Sequence, residues 1–419
     1  MNYRLIIIKY TYIISLLLFF VGLIASKALI SIGSVGVILC GFGSFGVNKP
    51  SKDLQISLLI GFGLLVMMPM ISGIWSQNTG AWVDSIANKI MLPLLAVGFS
   101  WSPKLDKREI YYLSLFQLGS VCIATLYSIG AYVYSPIDIN KTYLFAKTLP
   151  VLLNNDHLHF SLYVFITLFL VYSNRELYYQ MASRSIKMMI VGIIIWFVIY
   201  LHILGAKTGI LFLYLGVSLL FFSKDFITIS FFKKILIIPV LVLVLMAAYN
   251  FIPSFYNRFH YTRYDFNQYI HGQYVNGLTD GARVLSWKAG VAIAKQHPAF
   301  GIGFGDMNDT FMKWHEDHSS HLDTYNWLQP SNEWLMYWCG AGMLGMITLS
   351  LGLSLIYFKS AYNGSISFFI LFICQVLMMW YEVNLNNQIG ISLFVFSLCS
   401  FQLYDFSTPS KLTHSALES

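Results

Sequence analysis

Two cations in otherwise apolar or lightly charged surroundings are the residues best placed to do chemistry. Lys207 sits in LGAKTGI, residues 204–210, at the join of two hydrophobic runs. A lysine in or near hydrocarbon is costly unless it snorkels, pairs or faces a polar cavity. Gly205 and Gly209 would let an anionic ligand come close to it. Arg283, in DGARVLSW (280–287), carries a planar fork of donors that matches phosphate oxygens. Taken singly, they read as a snorkelling lysine and a surface arginine. Held on the same side of a membrane, they would form a diphosphate site.

Four further clusters could move protons or bind ligands. NNDHLHFSLY (154–163) contains His157 and His159; two residues apart, they do not share a helix face, which argues against a metal pair and leaves a cavity-lining or interfacial role. HEDHSSH (315–321) has the composition of a metal-binding tract, but His315, His318 and His321 match no helical zinc spacing, so a flexible loop is expected. QPSNEWL (329–335) reads as a helix start, with Ser331 or Asn332 capping free N–H groups and Glu333 complementing the dipole. Glu382, with Asn384, Asn386, Asn387 and Gln388, makes a polar knot between two apolar runs, where a carboxylate is a functional candidate by default. The glycines of GIGFGD (301–306) make a tight turn but follow no strand, so they are a weak phosphate cradle. No metal or other cofactor is expected.

These clusters need elements to hold them, and composition says which. Hydrophobic residues make up 57% and charged residues 11% of 419, too little charge to cover a water-facing surface. Repeated apolar runs of about 20 residues, the length that crosses hydrocarbon, indicate a polytopic membrane protein with no need of a cleavable signal peptide. The net charge of +7 records topology rather than nucleic-acid binding. The five cysteines are scattered through apolar runs, without a metal or redox pair. About twelve spans are expected: 10–26, 28–46, 54–74, 87–101, 110–134, 157–173, 186–204, 207–222, 233–251, 333–357, 366–381 and 389–404.

Connections between these spans alternate in charge. One set holds Arg4 and Lys9, Lys49 and Lys52, Lys104 to Arg108, Arg175 to Lys187, Lys224 to Lys234, then Lys359 and Lys411. The opposite set holds little beyond Lys27, Lys89, Lys141, Lys147 and Lys207. The positive-inside rule then puts both termini in the cytoplasm and residues 252–332 outside. Three regions follow: spans one to nine (1–251), an outer loop (252–332), and spans ten to twelve with a short tail (333–419). The loop holds six of the ten histidines. Within it, residues 283–297 place Val284, Trp287, Val291 and Ile293 or Ala294 at near-helical spacing, which predicts an amphipathic helix stopped by Pro298.

SGIWSQN (72–78), DHLHFSLY (156–163), AKTG (206–209), GARVLSWKAGVAIAKQHPAFGIGFGD (281–306), PSNEWLMYWCGAGMLG (330–345) and YEVNLNNQIGISLFVF (381–396) occur in one order over most of the chain. In that order the chain resembles the O-antigen ligase superfamily of bacterial envelope glycosyltransferases, especially its Bacteroidetes-type members. The resemblance implies an all-α, GT-C-like polytopic membrane helical bundle with a large periplasmic helical loop, in the bacterial inner membrane. It further implies a metal-independent enzyme that moves a glycan from an undecaprenyl diphosphate carrier to an acceptor glycolipid, glycan or protein. Basic residues hold the diphosphate in the family, which fits Arg283 and Lys207.

One position departs from the family. Where relatives carry a catalytic histidine beside asparagine, this chain has Ser331, a poor general base without assistance. His318, His321 or Glu333 would then substitute, with Asn332 alongside and His157, His159 and Glu382 lining the cavity. An O-antigen or capsular polysaccharide polymerase differs from a ligase only in acceptor. A lipid-linked glycan transporter would place its charges at the bilayer midplane, and a non-catalytic homologue is the remaining alternative. A reporter enzyme fused directly after Arg283 is expected to be active only in the periplasm; activity in the cytosol would overturn the topology.

Overall fold

The computed structural model describes residues 3–45, 52–143, 148–153, 156–223, 234–273, 276–358 and 365–401. Among the residues behind the charge asymmetry, Lys49, Lys147, Lys224, Lys233, Lys359 and Lys411 lie outside the described residues, as do Asn154 and Asn155. Every regular element among the described residues is helical. In chain order these are α1 (Tyr3–Ala25), α2 (Lys27–Ser44), α3 (Lys52–Ile71), α4 (Thr79–Lys89), α5 (Met91–Ser100), α6 (Lys107–Tyr134), α7 (Pro136–Thr142), α8 (His157–Ser173) and α9 (Arg175–Met181). Then come α10 (Arg184–Leu204), α11 (Lys207–Phe222), α12 (Ile237–Phe251), α13 (Pro253–Ile270), α14 (Asp280–Gln296), α15 (Met307–Ser319), α16 (Glu333–Phe358), α17 (Ile366–Met378) and α18 (Gln388–Cys399).

All twelve expected stretches are helical over most of their described length, but they are not equally long. Among the described residues, six helices have the length and apolarity to cross a bilayer, counting α4 and α5 as one run, and up to eight if each of two bent pairs counts as one span. Four shorter apolar helices stand beside them. The first bent pair, α8 and α9, turns by 61° and the second, α12 and α13, by 96°. The second turn has a local cause. Ile252, ahead of Pro253, adopts an extended conformation (φ −108°, ψ 103°), and the proline opens α13 as its first residue. The chain is a multi-pass membrane protein. Its apolar core is continuous, running from Phe19 and Phe20 on α1 to Phe394 and Phe396 on α18.

The polar segment after α12 is docked onto the bundle by a break in α16. Ala341 (φ −136°) and Gly342 (φ 66°, ψ −165°) leave helical geometry in mid-helix. The backbone groups freed there are taken up by the turn after α14. Ile302 N–H donates to the Cys339 carbonyl at 2.8 Å, Gly303 N–H to Gly340 at 3.0 Å, and Met343 N–H to Pro298 at 2.8 Å. Backbone groups freed inside a buried helix are costly unless protein satisfies them in this way. Gly301 and Gly303 have φ of 71° and 94°, which explains the glycine-rich turn. The same turn binds the end of α3: Phe304 N–H donates to Ser72 Oγ and Gly305 N–H to Ser76 Oγ, each at 3.2 Å. The Asp306 carboxylate accepts Gln77 N–H and Asn78 N–H at 2.9 and 2.8 Å. Three separate sequence motifs are therefore one packing unit. The N–H groups of residues 302–305 named here are already spent, so this turn does not cradle phosphate.

The expected amphipathic helix exists as α14, but with a different inner face. Ala282, Ser286, Ala289, Gly290 and Ile293 are buried, while Val291 is exposed. The small side chains let α14 lie close against α16, where a Cβ on Gly290 would collide with Leu335 and Pro330. Backbone proximity, rather than bulk, selects this face. Gly342→Ala is expected to lower stability by about 1–3 kcal/mol from its conformation alone, and by more because its Cβ would strike Ala299 and Phe300 backbone. Gly63→Ala, whose Cβ meets nothing within 4 Å, is expected to be neutral or stabilising. Thermal unfolding of the detergent-solubilised chain measures both.

Candidate functional site

α13 and α14 together build a cationic cluster. Arg258, Tyr261 and Asp265 are buried on one face of α13, at the i, i+3, i+7 spacing of a helical stripe. Asp265 caps α14 from this face, accepting Thr279 N–H at 2.8 Å, Asp280 N–H at 2.7 Å and Gly281 N–H at 3.0 Å. The cap fixes Asp280 and Arg283 one turn apart. Asp280 bonds the ammonium of Lys207 and stands 3.7 Å from Arg283. Arg283 also donates to Glu382 at 2.9 Å. Two cations, Lys207 and Arg283, thus share two carboxylates.

Arg258 is the member left over. It is 9% exposed, its guanidinium lies 5.4 Å from the Tyr261 ring centroid, and its Nε and Nη1 are buried with no hydrogen-bond partner among the described residues. A desolvated guanidinium with unmade bonds is expensive unless an anion completes it. Arg258 and Lys207 are among the residues lining an apolar groove of about 350 Å³, with Ile210, Leu211, Leu245 and Phe255.

A second polar system lies beneath the cations. Lys89 and Glu333 are both fully buried, 3.9 Å apart. The lysine donates to the Leu385 carbonyl at 3.2 Å and to Asn386, and lies 5.2 and 5.3 Å from the ring centroids of Phe304 and Tyr337. Glu333 accepts Leu385 N–H at 3.0 Å. From the same loop, Asn384 faces His159 Nε2 at 3.2 Å and donates to Gln375 at 3.1 Å. His159 Nδ1 meets Asp156 at 2.7 Å. Burial would raise the Asp156 carboxyl, but its hydrogen bond and charge interaction with His159 hold it below the usual range.

The candidates from sequence separate into groups. Lys207 and Arg283 come together as expected, and Glu382 joins them. His159 and Glu333 are anchored in the buried system, and His157 is half-buried in the first turn of α8. Asn332, not Ser331, caps α16, accepting Leu335 N–H at 2.9 Å. Ser331 Oγ sits 3.2 Å from Ser286 Oγ. Glu333 turns inward to Lys89 instead of outward along the dipole. His318 and His321 are exposed. His318 stacks on Trp314 and lines a different cleft from the cationic groove. His315 is buried and hydrogen-bonded to Leu328, and burial lowers its pKa. Among the described residues, no three His, Cys, Asp or Glu side chains gather as a metal site.

Residues 192–350 match the family model described as O-Antigen ligase. The match covers less than half of the chain and supports an O-antigen ligase-like family for it, one of ligase- and polymerase-type enzymes whose substrates are lipid-linked glycans. No curated protein matches the sequence. The ligase domain spans Lys207, Arg258, Arg283, Ser331 and Glu333; Lys89, His159 and Glu382 fall outside the matched residues and are brought in by the fold.

Sequence reasoning missed Arg258 and Lys89 as site residues. The stripe of Arg258, Tyr261 and Asp265 was a usable signal. Lys89 heads an apolar run without an acidic neighbour, so its partner 244 positions away was invisible. Lys89→Met and Glu333→Gln are each expected to cost about 3–5 kcal/mol, because each leaves a buried group uncompensated. Joining Lys89→Met with Glu333→Leu should recover a large part of that loss in thermal unfolding; strictly additive losses would refute coupling.

Proposed function

We propose that this protein is a bacterial inner-membrane glycosyltransferase that moves a glycan from an undecaprenyl diphosphate carrier to an acceptor hydroxyl at the periplasmic face. The observation that carries the reading is the buried, incompletely bonded guanidinium of Arg258, which lines an apolar groove together with Lys207. A polyprenyl tail suits the apolar walls, and a diphosphate would complete the guanidinium.

In this reading Arg258, Arg283 and Lys207 bind the diphosphate oxygens. As the acceptor oxygen forms its bond to the anomeric carbon, the bond from that carbon to the diphosphate breaks. The lipid diphosphate departs with the bonding pair, and the cations stabilise its growing charge. Glu382 takes the acceptor proton. At rest this carboxylate is paired with Arg283; a diphosphate that engages Arg283 would release Glu382 as a base beside the reacting centre. Ser331, bonded to Ser286, is not asked to do so. Asn332 and Glu333 fix the start of α16, His159 supports the loop that presents Glu382, and His157, His318 and His321 have no proton to move.

Transfer by the purified chain in vesicles, with a lipid-linked glycan, tests the assignment. Arg258→Ala and Arg283→Ala are each expected to lower the rate about a hundredfold or more. Lys207→Ala should cost less, since Asp280 already neutralises it. Glu382→Gln should abolish transfer and retain binding of undecaprenyl diphosphate. Full activity in both arginine variants would sink the diphosphate role.

A further inference from the structure

A second cavity, of about 900 Å³, opens between the end of α3, the C-terminal half of α14 and α15. It shares no lining residue with the cationic groove, and its chemistry is opposite. Asp306, Asp309 and Asp317 line it against a single lysine, Lys313. Asp306 is committed to Gln77 and Asn78 N–H groups, and Asp309 accepts from the Asn78 amide at 3.1 Å. Asp317 is exposed. Two indoles, Trp75 and Trp314, stand among these acids. The His318 ring stacks on Trp314, parallel at 4.4 Å, and covers one face of that indole; His318 itself is exposed. Trp75 Nε1 is buried without a partner among the described residues.

We infer that this cleft is a subsite for the body of a neutral, hydroxyl-rich glycan, set apart from the diphosphate groove. Carboxylates and side-chain amides accept and donate to sugar hydroxyls, while flat rings such as Trp75 and the exposed His318 stacked on Trp314 can cover the apolar C–H faces of pyranose rings. The excess of carboxylates repels phosphate, and the backbone N–H groups that might have cradled an anion are spent on Ser72, Ser76 and the α16 break. The volume lies in the range of ligand sites. Gln296 in the cleft and Arg283 in the cation cluster are separated by about 20 Å along α14 at 1.5 Å per residue, so the subsite takes sugars several residues from the reacting end. Neutral glycan chains are selected over phosphorylated glycolipid acceptors. The inference rests on the reading that the chain handles glycans, but not on the diphosphate site.

Binding to the full chain in detergent tests it. The probe is the neutral repeat-unit oligosaccharide released by mild acid from the lipid carrier of the producing cell; a phosphorylated derivative of it and undecaprenyl diphosphate without sugar are the comparisons. The neutral oligosaccharide is expected to bind. Asp317→Asn, at an exposed position, should weaken it about tenfold, as expected for losing a charge-assisted hydrogen bond. Trp75→Leu should weaken it further, and both variants should bind undecaprenyl diphosphate like the parent. Unchanged oligosaccharide affinity in Asp317→Asn, or equal affinity for the phosphorylated derivative, would overturn the inference. Loss of undecaprenyl diphosphate binding in Arg258→Ala with oligosaccharide binding intact supports the subsite; a parent chain that binds oligosaccharide but no undecaprenyl diphosphate would refute the diphosphate assignment alone.

Discussion

Two opposite charges, Lys89 and Glu333, are fully buried against each other, and the rest of the site is shaped around them. Removing such groups from water costs several kcal/mol per ion, so every remaining bond of the pair matters. The available partners are the backbone and amides of the loop between α17 and α18. Lys89 takes the Leu385 carbonyl and Asn386, and Glu333 takes Leu385 N–H. The pair is thus tied to residues 385 and 386 of that loop, while Glu333 Oε1 stays buried without a hydrogen-bond partner among the described residues. The same loop sets Glu382 against Arg283 and Asn384 against His159.

A second requirement acts one layer further out. The break in α16 frees buried carbonyls from the helix's own hydrogen bonds, and the turn 298–303 supplies the missing donors. Docking this turn fixes the C-terminal end of α14, while Asp265 fixes its N-terminal end. α14 is thus held at both ends, with a cationic cluster at one and an acidic, aromatic cleft at the other. The two ends suit different parts of one amphiphilic glycolipid, the charged headgroup and the sugar chain.

The cation cluster itself is only partly neutralised in the resting chain. Asp280 and Glu382 occupy Lys207 and Arg283, which keeps the cluster from standing as three bare charges. Arg258 keeps two unmade bonds. In the proposed reading, an incoming anion would complete Arg258 and exchange with the carboxylates on Lys207 and Arg283.

Composition and run length alone determined the class of this protein: a charge content of 11% cannot solvate a globule, and apolar runs of bilayer length must be helical because hydrocarbon leaves the backbone no other partner. Periodicity also gave α14, and residue chemistry gave Lys207, Arg283 and Glu382 as candidates. The tertiary structure decided the remainder, because pairing between distant residues leaves no local trace. Nothing near Lys89 announces Glu333, and nothing in GIGFGD announces that its N–H groups belong to Ser72, Ser76 and a broken helix. The inner face of α14 was misread for a related reason: where two backbones must touch, glycine and alanine are the buried residues, and a hydrophobicity pattern looks past them.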